Sequence, residues 1–162
     1  MGANETLAAW EAIAGAPPSS AAATPDVRNN HVVLDFDADA NETAYFSSVL
    51  PKHYAGGNIT CKLHWMATSA TSGTVRWSIA FERLAANGQD LDSNGFQAAV
   101  AATGAANASS GKLTQTSLTL TAFDGAINGD AFRIAVTRVA NDATNDTMTG
   151  DAELFMVELV EV

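Results

Sequence analysis

Any catalysis or metal binding in this chain would have to come from three histidines, one cysteine and a set of carboxylates. His31, His53 and His64 have no HxxxH or HExxH spacing, the pattern that places two zinc-binding imidazoles on one helical face, so a zinc hydrolase has no support. Cys61 is the only cysteine, which excludes an internal disulfide. Its alternation with Ile59, Leu63 and Trp65 predicts an inward-facing, inert thiol. No GxSxG elbow, P-loop, GxGxxG or CxxC occurs, so recognisable nucleophile and phosphate-cradle motifs are missing.

The carboxylates are more suggestive. Segment 35–42, DFDADANE, spaces Asp35, Asp37, Asp39, Asn41 and Glu42 as the alternating oxygen ligands that hard cations take. It lacks the central glycine and closing bidentate glutamate of an EF-hand loop, so it reads as a solvated strand end in which Asp35, Asp37 and Asp39 are the calcium candidates. The acidic stretch 141–151, NDATNDTMTGD, reads the same way, and no cofactor is expected. A glycosidase would need two converging carboxylates, a pairing one sequence does not reveal, and usually an aromatic groove that three tryptophans supply poorly. The expectation is a protein that is not an enzyme.

The elements that must position these residues are of two kinds. Residues 4–14, NETLAAWEAIA, have Leu7, Trp10 and Ile13 at helical spacing, with Asn4 to cap and Gly15 to end a short amphipathic helix. The Pro/Ala/Ser-rich stretch 16–26 reads as a linker, making 1–30 an N-terminal arm that docks either on its own domain or on a partner. From residue 31 onward the pattern changes to period two, clearest in 58–66 and 74–83. With 31–36, 43–50, 96–101, 113–120, 131–139 and 152–160 this predicts about eight strands separated by Gly-, Asn- and Asp-rich turns. The fold class is therefore all-β: a two-sheet antiparallel β-sandwich, a jelly roll, over 31–162.

Eight basic residues against 18 acidic ones give a formal charge of −10, which repels phosphate backbones and anionic lipid. Neither nucleic acid nor membrane is expected as a partner. No stretch reaches the ~20 apolar residues of a membrane span, and no basic start precedes an apolar run, so synthesis in a cytoplasm is expected.

One run resembles a known family. In YFSSVLPKHYAGGNITCKLHWMATSATSGTVRWSIAFE, the residues Phe46, Leu50, Pro51, Tyr54, Gly56, Gly57, Trp65, Gly73, Val75 and Trp77 fall in a pattern similar to that of small jelly-roll structural proteins of tailed viruses. Gly129, Asp130, Arg138, Asp146, Thr147, Gly150 and Asp151 extend the likeness over 31–162. The resemblance implies a virion location and a capsid decoration or cement role, with the major capsid protein or another virion protein as partner. The alternative function is a tail, fibre or adhesion module that binds host-surface glycan.

A homo-oligomer is also expected, its number, three, coming from the resemblance. In 153–160, ELFMVELV, apolar residues occur on both faces, so one row should lie outside the core and meet a second copy. Phe155, Val157 and Leu159, with Leu7, Trp10 and Ile13 of the arm, are the interface candidates.

Overall fold

Alternation along 74–83 predicts that Val75, Trp77, Ile79 and Phe81 face inward, and in the computed structural model, which describes residues 4–162, all four are fully buried. In chain order the strands are β1 (Glu5–Glu11), β2 (Thr24–Arg28), β3 (His31–Phe36), β4 (Glu42–Val49), β5 (Ile59–Ala67), β6 (Thr74–Leu84), β7 (Val100–Ala105), β8 (Thr114–Thr119), β9 (Ala131–Arg138) and β10 (Ala152–Glu161). They form two antiparallel sheets. One runs β2-β3-β10-β5-β8 with β1 also paired to β10, and the other runs β4-β9-β6-β7. Between them lies one aromatic-rich core in which Trp65, Trp77, Phe36, Phe46, Phe81 and Phe132 are buried. The all-β sandwich is thus as the sequence reads. Cys61 lies in this core, where burial pushes its thiol well above the ordinary range.

The N-terminal helix is a correction. Residues 5–11 are a strand, followed by a single 3₁₀ turn at Ala12–Ala14. Leu7 and Trp10 both turn toward the core despite their three-residue spacing, because a register shift between Thr6 and Ala8 makes Leu7 an extra, bulged residue. A strand wins because β10 over 156–161 would otherwise lack a backbone partner on that side, whereas an isolated helix this short is marginal in water. Trp10 packs 5.8 Å from the Phe46 ring and 6.1 Å from Phe132, and its indole N–H donates to the Ser47 carbonyl at 3.0 Å. Ile13 alone of the arm's apolar stripe stays outside, 65% exposed.

The expected linker is not a tether either. Ala16 exchanges backbone hydrogen bonds with Tyr45 at 2.7 and 2.8 Å, and Ala21 and Ala23 bond to Thr43, so the segment seals the edge of β4. The boundary drawn at residue 30 therefore falls inside the turn of a hairpin, β2–β3, that belongs to the sandwich. Residues 1–3 of that arm lie outside the described residues.

A second irregularity lies in β10. Over Ala152–Leu154 it pairs with β3, over 156–161 with β1, and with β5 throughout, with a shift between Leu154 and Met156. Phe155 is the extra residue at the changeover. The bulge resets the alternation, so Leu154, Val157 and Leu159 all point inward and are fully buried while Phe155 and Met156 stand outside. Val157 and Leu159 are thus core residues, not an interface row, and the argument for an oligomer drawn from that row falls away.

The acidic stretch 141–151 is pinned by Arg138, which is fully buried. Its Nε and Nη2 donate to the two oxygens of Asp146 at 3.0 and 2.8 Å, Nη1 donates to the carbonyls of Phe36 and Gly150, and Nη2 also donates to that of Met148. All five guanidinium N–H groups can be used at once, which is what makes a buried cation tolerable.

Two stability changes follow. Deleting residues 1–11 removes the burial of Leu7 and Trp10 and the pairing of β10, and should lower the melting temperature by roughly ten degrees, at about 2–4 °C per kcal/mol, read by calorimetry; an unchanged transition would mean that β1 is dispensable. Asp146→Ala leaves the Arg138 charge buried and unpaired and should cost about 3–5 kcal/mol in urea denaturation.

Candidate functional site

The outer face of the six-stranded sheet carries rows of side chains set by the pairing register. Ala9, Glu158, Lys62 and Ser117 form one row, and Glu11, Met156, His64 and Gln115 the next. The first row is fixed by contacts of Glu158 with Lys62 at 3.7 Å and with the Thr6 hydroxyl at 2.6 Å. Above the second row stands Phe155, raised out of the alternation by the bulge.

The β2–β3 hairpin leans over this face. Its two turn residues, Asn29 and Asn30, have φ of 47° and 66°, the left-handed pair that a tight two-residue hairpin demands and that asparagine tolerates. Arg28 reaches across to donate through Nη1 to the Ala67 carbonyl on β5 at 2.8 Å and to Glu153 on β10 at 2.6 Å. His31 sits edge-on to Phe155, ring centroids 5.8 Å apart and planes at 89°. Hairpin and bulge together cover Glu153, 3% exposed, and Met66, 8% exposed.

Three hollows result, and Phe155 lines all of them. The largest, 380 Å³, is bounded by Arg28, Asn29, His31, Met66, Gly111 and Leu113. One of 280 Å³ includes Ala9, His64, Leu113 and Glu158. The third, 260 Å³, includes Glu11, Asn30, His31 and Val32. An aromatic ridge with apolar flanks (Met66, Leu113, Met156) and a fringe of amide, imidazole and guanidinium groups can stack on a ring and hydrogen-bond its substituents.

The calcium candidates are not brought together. Asp37 accepts the Asp39 backbone N–H at 2.7 Å and donates its own to Glu42 at 2.8 Å, so Asp37 and Asp39 build a turn. Asp35 instead joins Asp26 and Glu153, each able to present an oxygen within 4.8 Å of the others, with Arg28 already bound to Glu153. Among the described residues, Oδ1 of Asp35 is buried without a hydrogen-bond partner. Burial, with Glu153, Asp26 and Asp151 nearby, raises the Asp35 carboxyl to about 6. Asp146, in the second acidic stretch, is the buried partner of Arg138 and not a solvated residue.

Of the interface candidates, Phe155 is at the centre of this face, Leu7, Val157 and Leu159 are in the core, Trp10 is half-buried on its own sandwich, and Ile13 is exposed elsewhere on the surface. Arg28, Met66 and Leu113 carry no site signal of their own in the sequence, and His31 reads there only as one of three histidines without ligand spacing. The available signal was RNNH at 28–31, an Asn pair flanked by strand-like PDV and HVVL that encodes the hairpin.

No protein-family model and no curated protein matches the chain. Solved structures do. An exo-β-1,3-galactanase from Phanerochaete chrysosporium, solved with β-1,3-galactotriose, is 10% identical with a TM-score of 0.51 over 96% of this chain; the chain spans 29% of that protein. TmCBM61 in complex with β-1,4-galactotriose is 8% identical, TM-score 0.37, over 81% of this chain and 71% of its own. The CBM22-1–GH10 modules of Clostridium thermocellum xylanase 10B, with xylohexaose, give 14% identity and a TM-score of 0.41 over 87% and 24%. The likeness is one of fold. The galactanase that shares the fold is a saccharide-cleaving enzyme and not a virion component, and the N-terminal arm, expected to dock on its own domain or on a partner, is a strand of its own sheet. The capsid decoration role that the resemblance implies is therefore set aside.

The raised Asp35 carboxyl has a definite pH signature. Its folded value of about 6 lies above the ordinary 3.8, so the folded state holds the proton more tightly, and stability falls as pH rises from about 4 to 6. Asp35→Asn should therefore raise the melting temperature by a few degrees at pH 7.5, with the gain fading toward pH 4. Equal gains at both values would refute the assignment.

Proposed function

We propose that this protein is a non-catalytic carbohydrate-binding module that holds an oligosaccharide on the outer face of its six-stranded sheet. The observation that carries the reading is the placement of Phe155: a bulge lifts one aromatic ring above the sheet, with hollows of 380, 280 and 260 Å³ around it. Sugar rings have an apolar C–H face and a polar rim, and this site offers the matching pair of surfaces. Phe155 and Met156 would meet the ring face; Asn29, Asn30, His31, His64 and Glu158 are placed to meet hydroxyls. The rigid sheet and the cross-strand rows hold these groups in position before ligand arrives, which lowers the entropic cost of binding. The fold it shares with the galactanase is compatible with this role.

The two β10 carboxylates that flank Phe155 are both engaged. Glu153 is fastened to Arg28, and Glu158 to Lys62 and Thr6. Each carboxylate so engaged is a positioning group more readily than an acid or base.

Screening the protein on an array of neutral and acidic oligosaccharides, followed by calorimetry on the hits, tests the proposal. Phe155→Ala should weaken binding by on the order of tenfold or more, the loss expected of a central aromatic contact, while the thermal transition is kept. A variant that binds as the parent does would place the ligand elsewhere, and no binding to any saccharide would end the reading.

A further inference from the structure

The largest hollow has a charge character opposite to that of the chain. The protein has 18 acidic and eight basic residues, yet the hollow's lining of Arg28, Asn29, His31, Met66, Gly111, Leu113 and Phe155 contains a guanidinium and an imidazole and no carboxylate. Only Nη1 of Arg28 is spent, on Ala67 and Glu153; among the described residues its Nε and Nη2 have no hydrogen-bond partner. Nη2 lies 3.5 Å from where a side chain on Gly111 would begin, so that glycine leaves the rim open at the guanidinium. Next to it Lys112 is exposed and, among the described residues, in no ion pair.

From these observations we infer that this hollow takes an anionic sugar residue, one bearing a carboxylate or a sulfate, with the anion on the free edge of Arg28. The inference rests on the saccharide-binding reading and narrows its ligand class. A guanidinium whose one nitrogen is pinned by Glu153 and a backbone carbonyl is held in a fixed plane, and its remaining Nε–H and Nη2–H form a fork that matches two oxygens of a carboxylate or sulfate. Glu153 orients Arg28 from behind without lining the hollow, and Asp26 and Asp35 do not line it either. Elsewhere the surface charge repels polyanions, so capture depends on this one opening and not on general attraction.

The test uses trigalacturonate and 6-sulfated galactobiose as the two kinds of anion, and galactotriose as the neutral comparator, by calorimetry at low and moderate salt. At least one of the acidic sugars should bind about tenfold tighter than the neutral one, and the preference should shrink as salt is added. Whichever acid leads identifies the anion. Arg28→Gln should erase the preference; since it also frees Glu153, Leu113→Asp, at a half-exposed rim position, supplies an independent variant that places a carboxylate in the hollow and should do the same. Neutral and acidic sugars bound equally in a Phe155-dependent way would overturn this inference and leave the module reading standing. Acid-selective binding unaffected by Arg28→Gln and Leu113→Asp would also overturn it. Binding of none of the three, with none found on the array, would remove both.

Discussion

Strand β10 must satisfy three neighbours with one backbone, and the rest of the molecule is arranged around how it does so. On one side β5 follows it from end to end. On the other, β3 serves three residues and β1 serves the remainder. Two different strands cannot abut one straight edge without a seam, and Phe155 is the residue at that seam. The bulge there does two things together: it returns Val157 and Leu159 to the core, and it leaves an aromatic ring on the outer face with no cross-strand partner of its own. The hairpin tip, released from β10 beyond Leu34, leans over the same place. Core packing and the candidate site thus have a common origin in one extra residue.

Much of the sandwich is legible in the sequence because period two is a direct consequence of a half-buried strand. Residues 31–36 match β3 at both ends, and Val75, Trp77, Ile79 and Phe81 occupy the inner positions their spacing requires. The segment 96–101 overlaps β7 by only two residues, since Phe96 instead lies over the second sheet, against Tyr45 and the Arg133 guanidinium. Bulges are where the pattern misleads. At Leu7 the extra residue makes a strand look like a helical stripe, and at Phe155 it makes a core row look like an exposed one. In both cases the deciding information, the register against a strand roughly 90 to 150 residues away, is not local.

The site was less legible for a related reason. Its aromatic ring, guanidinium and imidazole come from β10 and the β2–β3 hairpin, and no spacing motif joins them. The carboxylates that looked like ligands are mostly structural. Asp37 and Glu42 close a turn, Asp146 neutralises Arg138, and Glu161 accepts the N–H groups of Ala55 and Gly57 to hold the turn of PKHYAGG. Side-chain oxygen is used here to finish loops that a chain rich in Ala, Gly and Ser could not otherwise order. That Asp35 shares its place with Asp26 and Glu153, and not with Asp37 and Asp39, follows from β-strand geometry: pairing across strands outweighs proximity along the chain.

The position of β10 also constrains how the fold can be reached. It is the central strand of its sheet, yet every strand it pairs with, β1, β3 and β5, precedes it along the chain. While the polypeptide is being made, β1 has no partner edge, and the facing backbone edges of β3 and β5 stay unpaired until β10 emerges. Loop closure over such separations is slow, and the intermediate exposes strand edges and apolar side chains. A formal charge of −10 acts on such incomplete chains as well as on the folded protein, and mutual repulsion between them opposes association before β10 enters between its neighbours.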